Sequence, residues 1–394
     1  MPAITQAESA PILRFPQLEG LRAYMAWWVF VGHILASCTF ETAWLPGALR
    51  ALRTNGYAVI VFIILSGFVI THMLSSRRLS YKEFLINRFF RVWPALAVTA
   101  VIGIIALPWI AHTTHAFTQA ISPGKPDGWE GFAWPLHMAR PWSYLMANLS
   151  LFHGALPRSW LPEAYSTQGW SVSLEWQFYL IAPLFLLGLR RSPVLALLAS
   201  LGFIIVGENL PVGGWNSFLP AQLHYFVLGI LSYKAFGYLA QNKLQHPELF
   251  PRLFWPCGLL LLILSPELRQ CLMMSYDYSP SPLLPIGLWL LTLAIMLDAH
   301  GPRPPAMAVR LSWVLDNPAT RFLGRISYST YLLHFFVINA LMPIVIQHAA
   351  LHDKYKAALW LLVAGTPIVI LVSWLSYRFI ETPGIKFAKY LNSR

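Results

Sequence analysis

Apolar stretches of helix length follow one another almost from end to end of the chain, broken by short polar turns. A bilayer core about 30 Å thick is crossed by roughly 20 mostly apolar helical residues, with a range of about 17–25. That measure predicts ten spans, at about 21–39, 56–75, 92–111, 170–189, 193–207, 218–238, 252–266, 282–298, 323–347 and 357–378. The fifth and seventh are short for a crossing. Residues 1–20 hold no basic stretch followed by an apolar one, so no cleaved signal peptide is expected and the first span serves as an uncleaved signal. The expected fold class is an all-α polytopic membrane protein, a bundle of about ten transmembrane helices forming a single domain over residues 1–394.

Composition agrees with that pattern. The chain is 57% hydrophobic and only 11% charged, against about 25% charged in soluble domains. Disordered and collagen-like chains are excluded, and three cysteines are too few for a disulfide scaffold. Seventeen Trp, 16 Tyr and 24 Phe suit aromatic belts at two membrane interfaces. The net charge of +12 raises nucleic acid as a partner, but no basic block stands clear of an apolar span. Topology accounts for the excess better. With ten spans and a cytoplasmic N-terminus, 20 of the 28 Lys and Arg fall on the cytoplasmic side, the positive-inside asymmetry. Both termini are then cytoplasmic. One long outer segment, 113–169, is rich in Pro, Trp and His; loops of that length are usually functional or disordered, and the aromatic content argues against disorder. Its aromatic rings suit carbohydrate faces and equally a membrane interface. No internal repeat supports an inverted-repeat transporter.

Ionisable residues within spans are costly and mark candidate chemistry. Arg22 and His33 share the first span, in EGLRAYMAWWVFVGH. Eleven residues make three turns plus roughly 20°, so the two lie on one face, about 16 Å apart along the axis. A snorkelling arginine and an interhelical histidine hydrogen bond are the plain alternatives. Glu175 in WSVSLEWQFYL, His334 in SYSTYLLHFF and His224 in AQLHYF fall at a depth similar to His33. A carboxylate beside a histidine would fix its tautomer for general-base work on an alcohol; a structural His–Glu bond is the alternative. Arg88 and Arg91, spaced i,i+3 between the second and third spans, offer forked donors for phosphate, as in an acyl-CoA, or for anionic lipid.

Other features read as structural. Ser66 has no acidic or basic neighbour in sequence, and Ser66–Gly67 reads as a small-residue helix contact. Arg378 and Glu381 read as an i,i+3 ion pair closing the last helix, with Pro383 as a stop. Cys38, Cys257 and Cys271 match no zinc or redox spacing; Cys38 and Cys271 both fall outside, and whether they pair stays open. No HExxH, P-loop or dinucleotide fingerprint is present, and no metal is expected.

Together the runs FPQLEGLRAYMAWWVFVGH, FIILSGFVI, FLINRFFRVWPAL, WSVSLEWQFYLIAPL, GRISYSTYLLHFFV and LSYRFIETPGIK resemble the acyltransferase 3 family of integral-membrane acyltransferases, in order and over nearly the whole chain. The resemblance implies a ten-helix enzyme of the bacterial inner membrane. It would move an acyl group, usually acetyl, from cytoplasmic acetyl-CoA (acyl-CoA) to a hydroxyl of a cell-surface carbohydrate. The family's Arg-x10-His signature falls on Arg22 and His33, its Arg-x-x-Arg motif on Arg88 and Arg91, and its Trp-Ser-Leu-x-x-Glu-like motif on Trp170, Ser171 and Glu175. That last match departs at Val172 and at Trp176, where a second acidic residue often stands, so a paired-carboxylate mechanism is not expected there. Many relatives append an esterase-like domain; the chain ends soon after its last span, so the membrane domain and its loops are expected to build the acceptor site.

On this reading Arg22, Arg88 and Arg91 hold the CoA phosphates and the pantetheine arm runs along the first helix. His33 takes the acceptor proton, Glu175 orients its ring, and Tyr331 or His334 steadies the oxyanion. Direct transfer and an acyl-His33 intermediate both remain open. A transporter or flippase for an envelope glycan would use the same residue types without acyl-CoA.

Overall fold

A computed structural model of the chain describes residues 15–40, 47–76, 79–124, 141–156, 169–208, 217–242, 251–266, 281–299, 304–348 and 353–394. Among these residues every regular element is helical: α1 (Pro16–Ser37), α2 (Gly47–Arg53), α3 (Gly56–Ser76), α4 (Tyr81–Ile121), α5 (Pro141–Leu149), α6 (Gly169–Arg191), α7 (Pro193–Glu208), α8 (Leu219–Asn242), α9 (Pro251–Leu264), α10 (Leu283–Ala299), α11 (Ala306–Leu315), α12 (Pro318–Gln347), α13 (Lys354–Ser376) and α14 (Thr382–Asn392). A short 3-10 turn covers His153–Ala155, and a π turn, Tyr377–Glu381, joins α13 to α14.

A helix lies over each of the ten predicted stretches. Five runs are long and apolar enough to cross a membrane: α3, α4, α6, α12 and the continuous Lys354–Asn392 segment. The apolar parts of α7, α9, α10 and α11 are shorter. Val194, Leu195, Leu198, Leu201 and Ile205 stand exposed along α7, while His334, Asn339 and Glu381 are fully buried. A greasy outside around inward-turned polar groups is what hydrocarbon solvent imposes.

From Tyr81 on, the polar run after α3 is helical. Ser80 Oγ accepts from the Glu83 backbone N–H at 3.2 Å, and Glu83 Oε2 accepts from the Ser80 N–H at 2.7 Å. This capping box starts a helix at Tyr81, eleven residues ahead of the predicted span. α4 then runs 41 residues, about 60 Å, through Pro94 and Pro108. Arg88 and Arg91 therefore ride on its first turns, and its far end takes in residues 113–121 of the segment expected to be an outer loop. Residues 125–140 and 157–168 of that segment lie outside the described residues.

Pro383 does not stop the last helix. The π turn before it widens the ladder to i→i+5, with the Thr382 N–H donating to the Tyr377 carbonyl, and Pro383 falls in the first turn of α14, where a missing N–H costs nothing. The same turn swings Glu381 inward. It pairs with Arg91 of α4 rather than with Arg378, because it faces the bundle interior, fully buried. Cys38 is buried, with no disulfide among the described residues; Cys271 lies outside the described residues.

Two glycines set the spacing around the site. A Cβ on Gly324 of α12 would stand 2.1 Å from the Glu19 carbonyl oxygen of α1, and one on Gly67 of α3 would stand 2.3 Å from the Phe226 carbonyl oxygen of α8. Neither backbone approach tolerates a side chain. The first brings the Arg22–His33 face of α1 against α12. The second fits the small-residue contact expected at Ser66–Gly67.

Candidate active site

Between α1, α3, α4, α6, α12 and α14 lies a cavity of about 810 Å³. Arg22, Arg88, Arg91, Glu175 and Tyr331, predicted from sequence, all line it. On α3 its walls run from Met73 back to Val59, fourteen residues, or about 21 Å of helix.

The two arginines of α4 are chemically different. Arg91 Nη1 is paired with Glu381 Oε2, and its guanidinium lies 5.8 Å from the Tyr328 ring centroid. Ser329 Oγ donates to the other oxygen of Glu381 and sits 2.8 Å from Ser376 Oγ. Among the described residues Arg88 has no carboxylate partner: its Nη2 lies 2.7 Å from the Met73 thioether, and the group faces the Tyr179 and Phe84 rings at 5.7 and 6.0 Å. A thioether is a weak acceptor, so Arg88 retains most of its capacity to bind an anion. Arg22 lies within electrostatic reach of Arg88, Arg91 and Glu175.

Glu175 occupies the middle of the cavity. Its Oε1 accepts from Ser66 Oγ at 3.0 Å and from the Tyr179 hydroxyl one helical turn on. Sequence reading gave Ser66 no acidic neighbour; α3 crossing α6 supplies one. Tyr179 stands at i+4 from Glu175, so that bond was legible from helical spacing. One turn before Glu175, Ser171 Oγ donates to the Tyr331 hydroxyl at 2.8 Å.

The expected His33–Glu175 contact is not made. His33 Nδ1 lies 2.7 Å from His334 Nε2, with the rings stacked 11° apart at 5.0 Å. His334 Nδ1 lies 2.9 Å from the Thr330 carbonyl. A carbonyl only accepts, so His334 Nδ1 carries a proton; the Nε2 of neutral His334 then accepts, and His33 Nδ1 donates to it. This chain fixes the His33 tautomer and leaves its Nε2 lone pair for another partner. Neither histidine is among the cavity-lining residues. Tyr331 is the wall residue beside them, its ring 6.4 Å from the His334 ring and 6.2 Å from Phe62. His224 is exposed on α8 and does not line the cavity. Among the described residues, no group of three or more His, Cys, Asp or Glu gathers as a metal site would.

Fold and site together define a multi-pass helical membrane protein with a cationic intramembrane cavity and a histidine pair beside it. The chain belongs to the acyltransferase 3 family, whose profile, described as an acyltransferase domain, matches residues 15–378. It is similar to the peptidoglycan O-acetyltransferase OatA of Listeria monocytogenes, 24% identical over 397 residues, which cover 93% of this chain and 55% of the relative. It is also similar to the acyltransferase MdmB of Streptomyces mycarofaciens, 30% identical over 184 residues, covering 46% of this chain and 42% of the relative. The chain thus spans about half the length of these curated relatives. No solved structure matches it.

Proposed function

We propose that the chain is an O-acyltransferase of the bacterial inner membrane, with ten spans and both termini in the cytoplasm. It moves an acyl group, in the simplest case acetyl, from cytoplasmic acyl-CoA to a hydroxyl of an exported or cell-surface carbohydrate. The observation that carries this reading is the cavity itself. It sets Arg88 and Arg22, neither paired with a carboxylate among the described residues, beside Arg91 and runs from there to Tyr331. Membership of the family and the similarity to OatA, a peptidoglycan O-acetyltransferase, point the same way.

In this mechanism the CoA diphosphate lies on Arg88 and Arg91, and the pantetheine arm follows α1, whose rise from Arg22 to His33 is about 16 Å. Tyr331 must yield for the thioester to reach the histidine pair. His33 Nε2 then takes the proton of the acceptor hydroxyl as the alkoxide oxygen attacks the thioester carbon. The C–S bond breaks, and the imidazolium returns the proton to the departing thiolate, leaving an O-ester and CoA. His334 holds the His33 tautomer, a role the sequence had given to Glu175. Glu175, on the cavity wall, balances the guanidinium charge and orders Ser66 and Tyr179.

Purified protein in lipid nanodiscs, given acetyl-labelled acetyl-CoA and a panel of envelope glycans, tests the reading. Label appearing on a glycan hydroxyl is expected. Intact acetyl-CoA with every acceptor, alongside glycan movement across proteoliposomes, would establish the transporter reading instead.

A further inference from the structure

The cavity has a wall that the family profile does not reach. The profile ends at residue 378, whereas Ile385, Ala388, Lys389 and Asn392 of α14 and the following Ser393 line the cavity. The helical positions recur at steps of three, one and three, so they form one face of the helix. Phe387, Tyr390 and Leu391 point away from it and are exposed, an amphipathic arrangement suited to the membrane surface.

α14 is held firmly in place. A Cβ on Gly384 would stand 2.6 Å from the Phe90 carbonyl oxygen of α4, so the two helices touch backbone to backbone. The Phe387 ring meets the Phe90 ring edge-on at 5.0 Å, and Asn392 Nδ2 donates to Asn87 Oδ1 at 3.1 Å. Lys389 is thereby fixed at the rim, exposed, with no ion pair among the described residues. Of the three carboxylates on the wall, Glu83 is held in the capping box of α4, Glu175 lies deeper, bonded to Ser66, and Glu19 stands on α1 within electrostatic reach of Arg321.

The cations therefore come in an order. Arg88 contacts Met73, one end of the α3 wall, while Glu175 contacts Ser66, seven residues and about 10 Å further in. Lys389 stands on α14 at the exposed end. An acyl-CoA placed with its thioester toward Tyr331 leaves its diphosphate on Arg88 and Arg91. The part left at the rim is the ribose with its 3′-phosphate, a monoester standing in water. A compact ammonium on a flexible stem suits such a group better than a rigid fork does.

We infer that Lys389 receives the 3′-phosphate of the acyl-CoA donor, making α14 part of the donor site; this rests on the donor reading given above. The probes are coenzyme A and 3′-dephospho-coenzyme A, with affinity measured by titration calorimetry on the protein in nanodiscs. The parent is expected to bind coenzyme A about two- to fivefold more tightly than the dephospho form, the range of one exposed charge pair. Lys389→Ala abolishes that preference by weakening only coenzyme A, and Lys389→Arg restores most of it. A parent that binds both equally, or a Lys389→Ala variant that keeps the preference, overturns the assignment to Lys389 while leaving the donor reading intact. A parent that binds neither probe overturns the donor reading and this inference with it.

Discussion

Glu381 is fully buried, and its partner Arg91 keeps a quarter of its side chain exposed, on the cavity wall. Removing one member of a buried ion pair costs about 3–5 kcal/mol, because the other charge is left uncompensated. Arg91 still meets the cavity after Glu381→Ala, which puts the loss at the lower end, about 3 kcal/mol, part of it from the Ser329 hydroxyl losing its acceptor. Glu381→Gln keeps the volume and an oxygen for Ser329 and loses only charge, so about 1–2 kcal/mol is expected. The double change Arg91→Met with Glu381→Leu leaves no charge to strand and should recover most of the loss. Unfolding in mixed micelles, followed through tryptophan emission, reads these proteins together with the single changes Arg91→Met and Glu381→Leu, and the cycle of the parent, those two singles and the double variant isolates the coupling. Equal stability of Glu381→Ala and the parent, or strictly additive losses in the double variant, would refute the claim that this pair locks α4 to the π turn.

Other outcomes follow from the same geometry. His334→Ala leaves His33 Nδ1 without its acceptor, so acyl transfer should fall about 100-fold with a changed pH–rate profile; an unchanged profile would detach His334 from the chemistry. Gly67→Val forces a side chain into the Phe226 carbonyl and should cost about 1–3 kcal/mol, whereas Gly202→Ala, with open space around it, should cost nothing measurable by the same unfolding assay. Burial pushes the His153 imidazole down from 6.5 to about 4. The unfolded chain therefore binds the extra proton first, and stability should fall by about 3 kcal/mol as pH drops from 6.5 to 4, with the loss abolished in His153→Leu. An acid profile identical in parent and variant would contradict that burial.

Much of this was written in the sequence, for identifiable reasons. Apolar runs of span length located the helices, and a spacing of eleven put Arg22 and His33 on one face of α1. Arg88 and Arg91 at i,i+3 share a face because the segment that carries them is helical, the start of α4. The Ser80–Glu83 capping box was readable too, but the charges around it masked a helix start. What failed was azimuth. Depth alone put His33, Glu175 and His334 together, and only the close α1–α12 approach at Gly324 decided that His334 is the partner. Likewise a three-residue spacing favoured Arg378 for Glu381, until the π turn rotated that carboxylate to Arg91.

The most direct test of the account is transfer of labelled acetyl from acetyl-CoA to a glycan hydroxyl by His33→Ala in nanodiscs, under conditions where the parent turns over. Transfer should fall by at least about 100-fold, the contribution of a positioned general base. Undiminished labelling of the glycan would contradict the assignment of His33 as the group that takes the acceptor's proton.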